Sequence, residues 1–227
     1  MAADGVTVGP SYATERVVGW HTPIATDAMR RAGDRARVVV IGTMAPAEQA
    51  QCLARVRSNQ VVVAQTDLAW IRRSRDEVKS VLTAVDVAVL TTSELRELIG
   101  PGEIGLAANH LLAGRPRVVV ATAGERGAMV FEAQRQACVP AFRTRVVDPT
   151  GAGDAFTGAF AGYIEASGHQ PVTCAAGNFL SAAAYASAAA SVTVEGVGID
   201  AIASTAQSEL KRRAEAVSSG LEWHRGP

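Results

Sequence analysis

The chain has 227 residues, of which 48% are hydrophobic and only 5% aromatic, and its formal net charge is +0 at pH 7. This length is sufficient for one sizeable domain with a buried core. The balanced charge and the lack of a long basic run exclude the electrostatic footprint of a protein that binds nucleic acid or a membrane surface. We therefore expect neither of these as a partner.

The cysteines and histidines indicate neither a disulfide framework nor a metal centre. Cys52, Cys138 and Cys174 lie far apart and contain no Cys-x-x-Cys pair, and the four histidines lack the spacing of zinc ligands. The first residues lack the basic and then apolar pattern of a signal peptide. We expect reduced thiols in a cytoplasmic protein.

Short apolar runs alternate with helical patterns from residue 37 onward. Continuous valine-rich runs are typical of buried parallel strands, and apolar residues at helical spacing are typical of helices that cover a sheet. Strands are predicted at 38–41, 61–64, 87–90 and 117–121. Helices are predicted between them at 46–57, 76–85, 93–99 and 104–112.

The second half of the chain is predicted to add two hairpin or edge strands, at 128–132 and 137–147, and then helices. The helical patterns cover residues 155–167, 171–191 and 201–217. This order predicts an α/β fold, a three-layer α/β/α sandwich with a mainly parallel sheet. Residues 31–220 would form this single domain, between an irregular segment at 1–30 and a polar tail at 221–227.

Several polar residues follow directly after predicted strands. They are Asp67, Thr91, Thr122 and the loop from Asp148 to Asp154. Ligands of open α/β sheets bind outside the carboxyl ends of the strands. We therefore expect these residues to converge on one edge of the sheet.

The most informative segment is Asp-Pro-Thr-Gly-Ala-Gly-Asp-Ala-Phe at residues 148–156. Gly151 and Gly153 allow a tight backbone turn, and the helix that follows contributes unpaired N–H groups and its positive dipole end. This combination is suited to binding a phosphate. Asp154 lies beside the cradle, where a carboxylate could accept a proton from an attacking hydroxyl. A glycine-rich strand-to-helix turn with no ligand is the alternative.

This segment resembles the second signature of the ribokinase-like (PfkB) carbohydrate kinases, Asp-Thr-x-Gly-Ala-Gly-Asp-x-Phe, with Pro149 as the one departure. The resemblance implies a ribokinase-like fold and in-line transfer of the γ-phosphoryl group of ATP to a hydroxyl of a sugar or sugar-like molecule, with Mg²⁺. It assigns Asp154 as the base. The turn at Gly151 and the N–H groups of Ala152, Gly153 and Asp154 would form the anion hole.

Residues 121–128, Ala-Thr-Ala-Gly-Glu-Arg-Gly-Ala, resemble the Thr-x-Gly-x-x-Gly turn of the same family. The resemblance implies that Thr122, Gly124 and Gly127 hold the phosphates and ribose of the nucleotide. Glycines permit this because backbone without a Cβ can approach a phosphate closely. A strand-to-strand turn that needs positive φ angles is the alternative explanation.

Residues 90–95 are similar to the family's Asn-x-x-Glu segment, with Glu94 in the Glu position and Thr91 in the Asn position. The resemblance implies that Glu94 holds Mg²⁺ through water. Thr91 lacks the paired donor and acceptor of an amide, so magnesium binding could be weaker than usual. The alternative is that Glu94 is an acid in the first turn of a helix, where it favours the helix dipole.

Residues 191–198 look like the family's adenine wall and monovalent-cation loop. The resemblance implies that Tyr185 and Val192 lie near the adenine. It also implies that Asp148, Thr150 and Gly196 lie near a potassium site. A buried aromatic residue on a helix is the alternative explanation for Tyr185.

The resemblance covers roughly residues 35–200. Family members carry a preceding segment with a Gly-Gly motif that binds the sugar and with a small β-lid, and no such motif is present here. Residues 1–30 would be at most a remnant of the lid. The chain is therefore predicted to be an N-terminally shortened kinase or a degenerate, noncatalytic nucleotide-binding member of the family.

Two questions stay open at this point. The acceptor is a sugar or a nucleoside, because both occur in this enzyme class. Self-association as a homodimer is also open. A dinucleotide-binding oxidoreductase is disfavoured, since no Gly-x-Gly-x-x-Gly follows the first clear strand.

Overall fold

A computed structural model describes residues 36–167, 176–219 and 221–225. The predictions for residues 1–30, for Cys174 and for the start of the helix at 171–191 lie outside these ranges.

The described residues form a seven-stranded sheet in which the strands lie side by side in chain order. Strands β1 to β4 are parallel, and β4 to β7 pair as antiparallel neighbours. The strands are β1 (Val38–Ile41), β2 (Val61–Gln65), β3 (Val87–Thr91), β4 (Val118–Thr122), β5 (Ala128–Glu132), β6 (Arg135–Val139) and β7 (His224–Arg225).

Helices cover both faces of this sheet. They are α1 (Pro46–Leu53), α2 (Leu68–Arg73), α3 (Arg75–Leu82), α4 (Thr92–Ile99), α5 (Ile104–Leu112), α6 (Ala152–Ala166), α7 (Ala176–Thr193), α8 (Asp200–Ser204) and α9 (Gln207–Ser218). A 3₁₀ turn, Gly124–Arg126, joins β4 to β5.

Alternate residues of each central strand enter different hydrophobic clusters. Val62 and Ala64 pack with the layer of α1 to α5, whereas Val63 between them packs with α6, α7 and α9. Since successive side chains of a strand point to opposite faces, this alternation places a buried core on each side of the sheet. The predicted three-layer sandwich is confirmed, and its sheet is mixed, with three parallel and three antiparallel pairs among the described strands.

The extended strand predicted at 137–147 is wrong in its second half. β6 ends at Val139, because Pro140 has no N–H group with which to continue the ladder. The chain then runs outside the sheet, and the N–H groups of Val147 and Asp148 both donate to the carbonyl oxygen of Val194, at 2.7 and 3.2 Å. The signature segment therefore follows an extended connection and not a strand.

The helix predicted at 201–217 is interrupted. Thr205 has extended backbone angles, and its hydroxyl donates to the carbonyl oxygen of Ala201 at 2.8 Å. Such hydrogen bonds from a side chain to the backbone compete with helix continuation. The result is a short α8 followed by α9.

The segment predicted as a polar tail contains a short strand. β7 pairs with β6, and the guanidinium of Arg135 lies 4.5 Å from the ring centroid of Trp223. The tail thus adds a short edge strand to the sheet.

No helix in the part of the chain that the structure describes combines the length and apolarity needed to cross a bilayer.

Candidate active site

The turn before α6 is shaped by Gly151, whose φ of 82° lies in the left-handed region that favours glycine. The Asp148 carboxylate accepts a hydrogen bond from the Thr150 N–H at 2.9 Å, which tightens the approach to the turn. Hydrogen bonds from Thr150, through its backbone N–H and then its side chain, hold the pKa of Asp148 below its ordinary value. The carboxylate is therefore charged at neutral pH.

Gly153 lies open in the first turn of α6. A Cβ at this position would meet no protein atom within 4 Å, so the protein's own packing does not require glycine there. The Ala152 N–H donates to the carbonyl oxygen of Pro149 at 3.3 Å. Within the described ranges, the N–H groups of Gly153 and Asp154 have no such backbone partner and remain for an anion.

A cavity of about 780 Å³ opens beside this turn. Five of the residues that the sequence assigned to the anion hole and the nucleotide line it together, namely Thr122, Gly124, Gly127, Ala152 and Gly153. Its other walls come from Thr91, the segment after β6 and one face of α7.

Both glycines of the β4–β5 turn have positive φ angles, 60° at Gly124 and 90° at Gly127. A Cβ at Gly127 would lie 2.0 Å from the carbonyl oxygen of Val139, whereas one at Gly124 would meet nothing within 4 Å. The fold itself therefore requires glycine at 127. The turn explanation is therefore sufficient at this position, and the assignment of Gly127 to the nucleotide stays a prediction.

Thr91 and Glu94 cap α4 reciprocally. The Glu94 N–H donates to the Thr91 hydroxyl at 3.1 Å, and the Thr91 N–H donates to the Glu94 carboxylate at 2.7 Å. Burial raises the pKa of Glu94. The hydrogen bonds with Thr91 act in the opposite direction, and the nearby Asp67 carboxylate raises the pKa further. The helix α2 was not predicted from the sequence. Asp67 caps it by accepting a hydrogen bond from the Trp70 N–H at 2.9 Å.

The candidate base, Asp154, is contacted by a residue that the sequence analysis did not identify. The Gln65 side-chain Nε2 donates to the Asp154 Oδ1. Gln65 is the last residue of β2, and it follows an apolar run at the carboxyl end of a strand. The rule that selected Thr91 and Thr122 would have selected Gln65 also.

The structure does not bring Tyr185 and Val192 to the cavity of about 780 Å³. Helical spacing places Ser187, Ala190, Ser191 and Val194 on the cavity wall instead, because residues three, four and seven apart share one face of a helix.

Tyr185 faces a second cavity of about 480 Å³, which Gly151 and Asp154 also line. Its ring centroid lies 5.7 Å from that of Tyr163. Val192 is buried and lines neither cavity. Both residues therefore lie on other faces of α7 than the one that borders the larger cavity.

The three residues assigned to a monovalent cation lie on two connections. Asp148 and Thr150 precede α6 and are joined by their hydrogen bond, whereas Gly196 follows α7. The Val194 carbonyl oxygen, two residues before Gly196, accepts from the N–H groups of Val147 and Asp148 and so joins the two connections. The described residues contain no group of three His, Cys, Asp or Glu side chains suited to a metal ion. A cation here would be held mainly by backbone carbonyl oxygens.

A buried arginine from α9 supports the cavity wall. Arg213 donates to Ser191 at 3.0 Å, pairs with Glu195 at 2.9 Å and lies 4.8 Å from the Phe142 ring centroid. Glu195 in turn accepts from the Thr144 hydroxyl. The sequence carried no signal for this network, since it joins residues far apart in the chain.

The family model for the pfkB family carbohydrate kinases matches residues 23–206 of this sequence, which is most of its length. The chain belongs to the PfkB family. The part of the chain with the signature turn, the cavity and the capped Glu94 falls within the match.

The chain is similar to curated and solved members of the family. It is 31% identical over 134 residues to a cytidine kinase from Thermococcus kodakarensis, which covers 56% of this chain and 48% of that protein. A fructokinase from Xylella fastidiosa with bound ATP superposes with a TM-score of 0.70 at 18% identity, covering 84% of this chain and 64% of the other.

A fructokinase double mutant from Vibrio cholerae, with fructose, ADP and a potassium ion bound, superposes with a TM-score of 0.62 at 22% identity. That match covers 74% of this chain and 54% of the fructokinase. The chain thus spans about half the length of the cytidine kinase, and little more than half of this fructokinase.

Proposed function

We propose that this PfkB-family chain transfers the γ-phosphoryl group of ATP to a hydroxyl group of a sugar or nucleoside. One observation carries the proposal. The Asp154 carboxylate and the open N–H groups of Gly153 and Asp154 lie in the same helical turn, where Gly153 lines the cavity of about 780 Å³ and Asp154 lines the second cavity of about 480 Å³. A base beside an anion cradle is the arrangement that phosphoryl transfer needs.

The cavity would hold the nucleotide. Its volume lies within the range of about 300–1,000 Å³ that is typical of sites for small ligands. Arg126 and Arg143 line it and have no ion-pair partner among the described residues, so their guanidinium groups are available for phosphate oxygens. The similarity to a fructokinase with bound ATP supports the same assignment.

Asp154 would act as the general base. The acceptor oxygen forms a bond to the γ-phosphorus while the bond from that phosphorus to the bridging oxygen breaks, and ADP leaves. The hydroxyl proton passes to the Asp154 carboxylate. The free N–H groups at the start of α6 stabilise the charge on the transferring group.

Glu94 and Asp67 are the acidic groups that would hold Mg²⁺ through water, and Mg²⁺ when bound would neutralise charge on the phosphates. Asp148, the Thr150 carbonyl and the backbone near Gly196 would hold a potassium ion. The lowered pKa of Asp148 suits a cation ligand, and the potassium ion in the Vibrio cholerae fructokinase supports the proposal.

The acceptor is proposed to be a pentose or hexose, or the ribose of a nucleoside. The pfkB family model and the fructokinases favour a sugar. The similarity to a cytidine kinase favours a nucleoside. Both classes present a primary hydroxyl to the same base.

A noncatalytic nucleotide-binding protein is the second candidate, and a specific observation favours it. Thr91 and Glu94 are committed to each other in the capping box of α4. A Glu94 carboxylate that accepts from the Thr91 N–H has less capacity to bind hydrated Mg²⁺, and Thr91 offers no amide in its place.

The test is a measurement of Mg²⁺-dependent ADP formation with ribose, fructose, 2-keto-3-deoxygluconate, adenosine and cytidine, each against a reaction without acceptor. Turnover that requires one of these acceptors supports the kinase. Tight ATP binding without turnover on any of them contradicts it in favour of the second candidate.

A further inference from the structure

The Asp154 carboxylate receives a side-chain hydrogen bond from one residue in the described ranges, Gln65. The two residues are 89 positions apart in the chain. Gln65 ends β2 at the carboxyl edge of the sheet, and Asp154 lies in the first turn of α6. The contact therefore joins the sheet edge to the helix that carries the base.

The backbone of Gln65 is itself fixed from inside the fold. The Gln49 side-chain Nε2 donates to the carbonyl oxygen of Gln65 at 2.8 Å and to that of Gly42 at 2.9 Å. Gln49 is fully buried on α1. One buried amide thus ties the ends of β1 and β2 together, and the Gln65 side chain leaves a backbone that cannot shift freely.

Asp154 needs such support because its side chain is exposed. An exposed carboxylate rotates among several orientations, and a base is effective only when one oxygen faces the reacting hydroxyl. A donor on Oδ1 fixes the carboxylate plane and leaves Oδ2 for the acceptor. A neutral amide does this without bringing a positive charge against the base.

We propose that Gln65 is a positioning residue that orients the Asp154 carboxylate toward the acceptor hydroxyl. This inference rests on the proposed function. Gln65 lines neither cavity and is not among the residues proposed to bind the nucleotide. We therefore expect it to affect the rate of the chemical step and not the binding of ATP.

The decisive variants are Gln65→Glu and Gln65→Ala. Gln65→Glu keeps the shape of the side chain and the backbone carbonyl that Gln49 contacts, but it removes the donor. We expect kcat to fall about 10- to 100-fold in both variants, the usual worth of a hydrogen bond to a charged group. The KM for ATP stays unchanged. Gln65→Lys, which keeps a donor of similar reach, retains more activity than Gln65→Ala.

A double-mutant cycle separates positioning from a general structural effect. In an Asp154→Asn background, Gln65→Ala is expected to cause little further loss of kcat. Gln136→Ala, a half-buried glutamine on β6, is the matched control and leaves kcat as it is. Wild-type kcat in Gln65→Glu, or losses from Gln65→Ala and Asp154→Asn that multiply, overturn the inference while the kinase assignment stands.

The contact itself has a readout that does not depend on turnover. The side-chain amide resonance of Gln65, assigned by its loss in Gln65→Ala, should shift in Asp154→Asn. It should not shift in Asp76→Asn, which changes the matching first-turn acid of α3. An unshifted resonance in Asp154→Asn overturns the inference. Absence of turnover in the wild-type chain, with the shift present, instead defeats the proposed function and the positioning role that depends on it.

Discussion

Gly153 and Gly158 lie on the same helix, and a Cβ at either position meets no protein atom within 4 Å. They differ in the space that an added side chain would enter, because Gly153 lines the cavity of about 780 Å³ and Gly158 does not. A side chain at 153 therefore enters the space proposed for phosphate, whereas one at 158 enters solvent. The pair separates the anion cradle from helix stability.

We expect Gly153→Val to fold normally and to lower ATP affinity by about 10- to 100-fold, the worth of one or two hydrogen bonds to a charged group. Gly158→Val should bind ATP as the wild type does. Isothermal titration calorimetry with ATP measures both affinities. Equal ATP affinity in the two variants contradicts the cradle.

The two glycines of the β4–β5 turn differ in whether the fold itself requires them. Alanine at Gly124 would carry only the strain of a left-handed residue, about 1–2 kcal/mol. Alanine at Gly127 would add a collision with the carbonyl oxygen of Val139, 2.0 Å away. One glycine is available to a ligand, and the other is required by the backbone.

Urea unfolding should therefore show a clearly larger loss of stability for Gly127→Ala than for Gly124→Ala. The excess is expected to reach about 2 kcal/mol, since backbone atoms cannot move aside cheaply. If the two variants lose the same free energy of unfolding, the turn does not have the tight contact between residues 127 and 139.

The start of α4 gives a pH-dependent prediction. Burial raises the pKa of Glu94, so ionisation of this carboxyl costs stability as the pH rises through its raised pKa. Glu94→Gln removes the ionisation and keeps an oxygen for the Thr91 N–H. We expect its Tm at pH 7 to equal or slightly exceed that of the wild type, and the difference to vanish below about pH 4, where the carboxyl is protonated in both states.

The same variant should need more Mg²⁺ for half-maximal turnover. Glu97→Gln, at an exposed ion pair on the same helix, is the control for loss of a charge. A Tm for Glu94→Gln that falls below the wild type at pH 7 but not at pH 4 would show that the charge stabilises the helix, and it would contradict this account.

At the scale of the whole molecule, Arg213 links α9 to the wall of the nucleotide cavity. Its side chain is 10% exposed, whereas that of its neighbour Arg212 is 60% exposed. Arg213 contacts residues of α7, of the loop after it and of the segment after β6. Removing it leaves Glu195 without its ion-pair partner beside the cavity.

We expect Arg213→Ala to lower the free energy of unfolding by about 2–3 kcal/mol, somewhat below the cost of breaking a fully buried pair, because Glu195 and Glu209 keep part of their exposure. It should also weaken ATP binding, since Phe142 and Thr144 line the cavity. Arg212→Ala, which removes the arginine of an exposed pair, should cost clearly less stability than Arg213→Ala. Denaturant unfolding and ATP titration of both variants test this, and equal costs would contradict it.

A feature of this molecule can be predicted from the sequence when it arises from neighbouring residues, and not when it depends on residues far apart in the chain. The valine runs of β2, β3 and β4 are apolar on both faces, as in a buried strand, so the sequence predicts these strands and, apart from α2, the helices between them. The turn at 151–154 was predicted because its glycines have a local reason, the left-handed φ and the open first turn of α6.

Features that depend on distant partners were not predictable in this way. The apolar residues at 146 and 147 are typical of a strand, yet the N–H groups of Val147 and Asp148 donate to the carbonyl oxygen of Val194, which follows α7. Arg213 has ordinary surroundings in the sequence and gains a role only from Glu195 in the fold. Gln65 follows an apolar run as Thr91 does, but its partner Asp154 is 89 positions away in the chain. The face of α7 that lines the larger cavity depends on how that helix is rotated about its axis, which the local sequence does not determine. For this reason Tyr185 lies at the second cavity and not at the one predicted to hold the adenine.

The proposed mechanism requires that Asp154 removes the acceptor proton while the start of α6 binds the phosphate. A comparison of Asp154→Asn with wild type, for ATP affinity and for the single-turnover rate of phosphoryl transfer to the best acceptor, tests both roles. We expect nearly unchanged ATP binding and a rate lower by about 10²–10⁴-fold, the usual contribution of a general base. A variant that transfers phosphate at the wild-type rate would show that Asp154 is not the base.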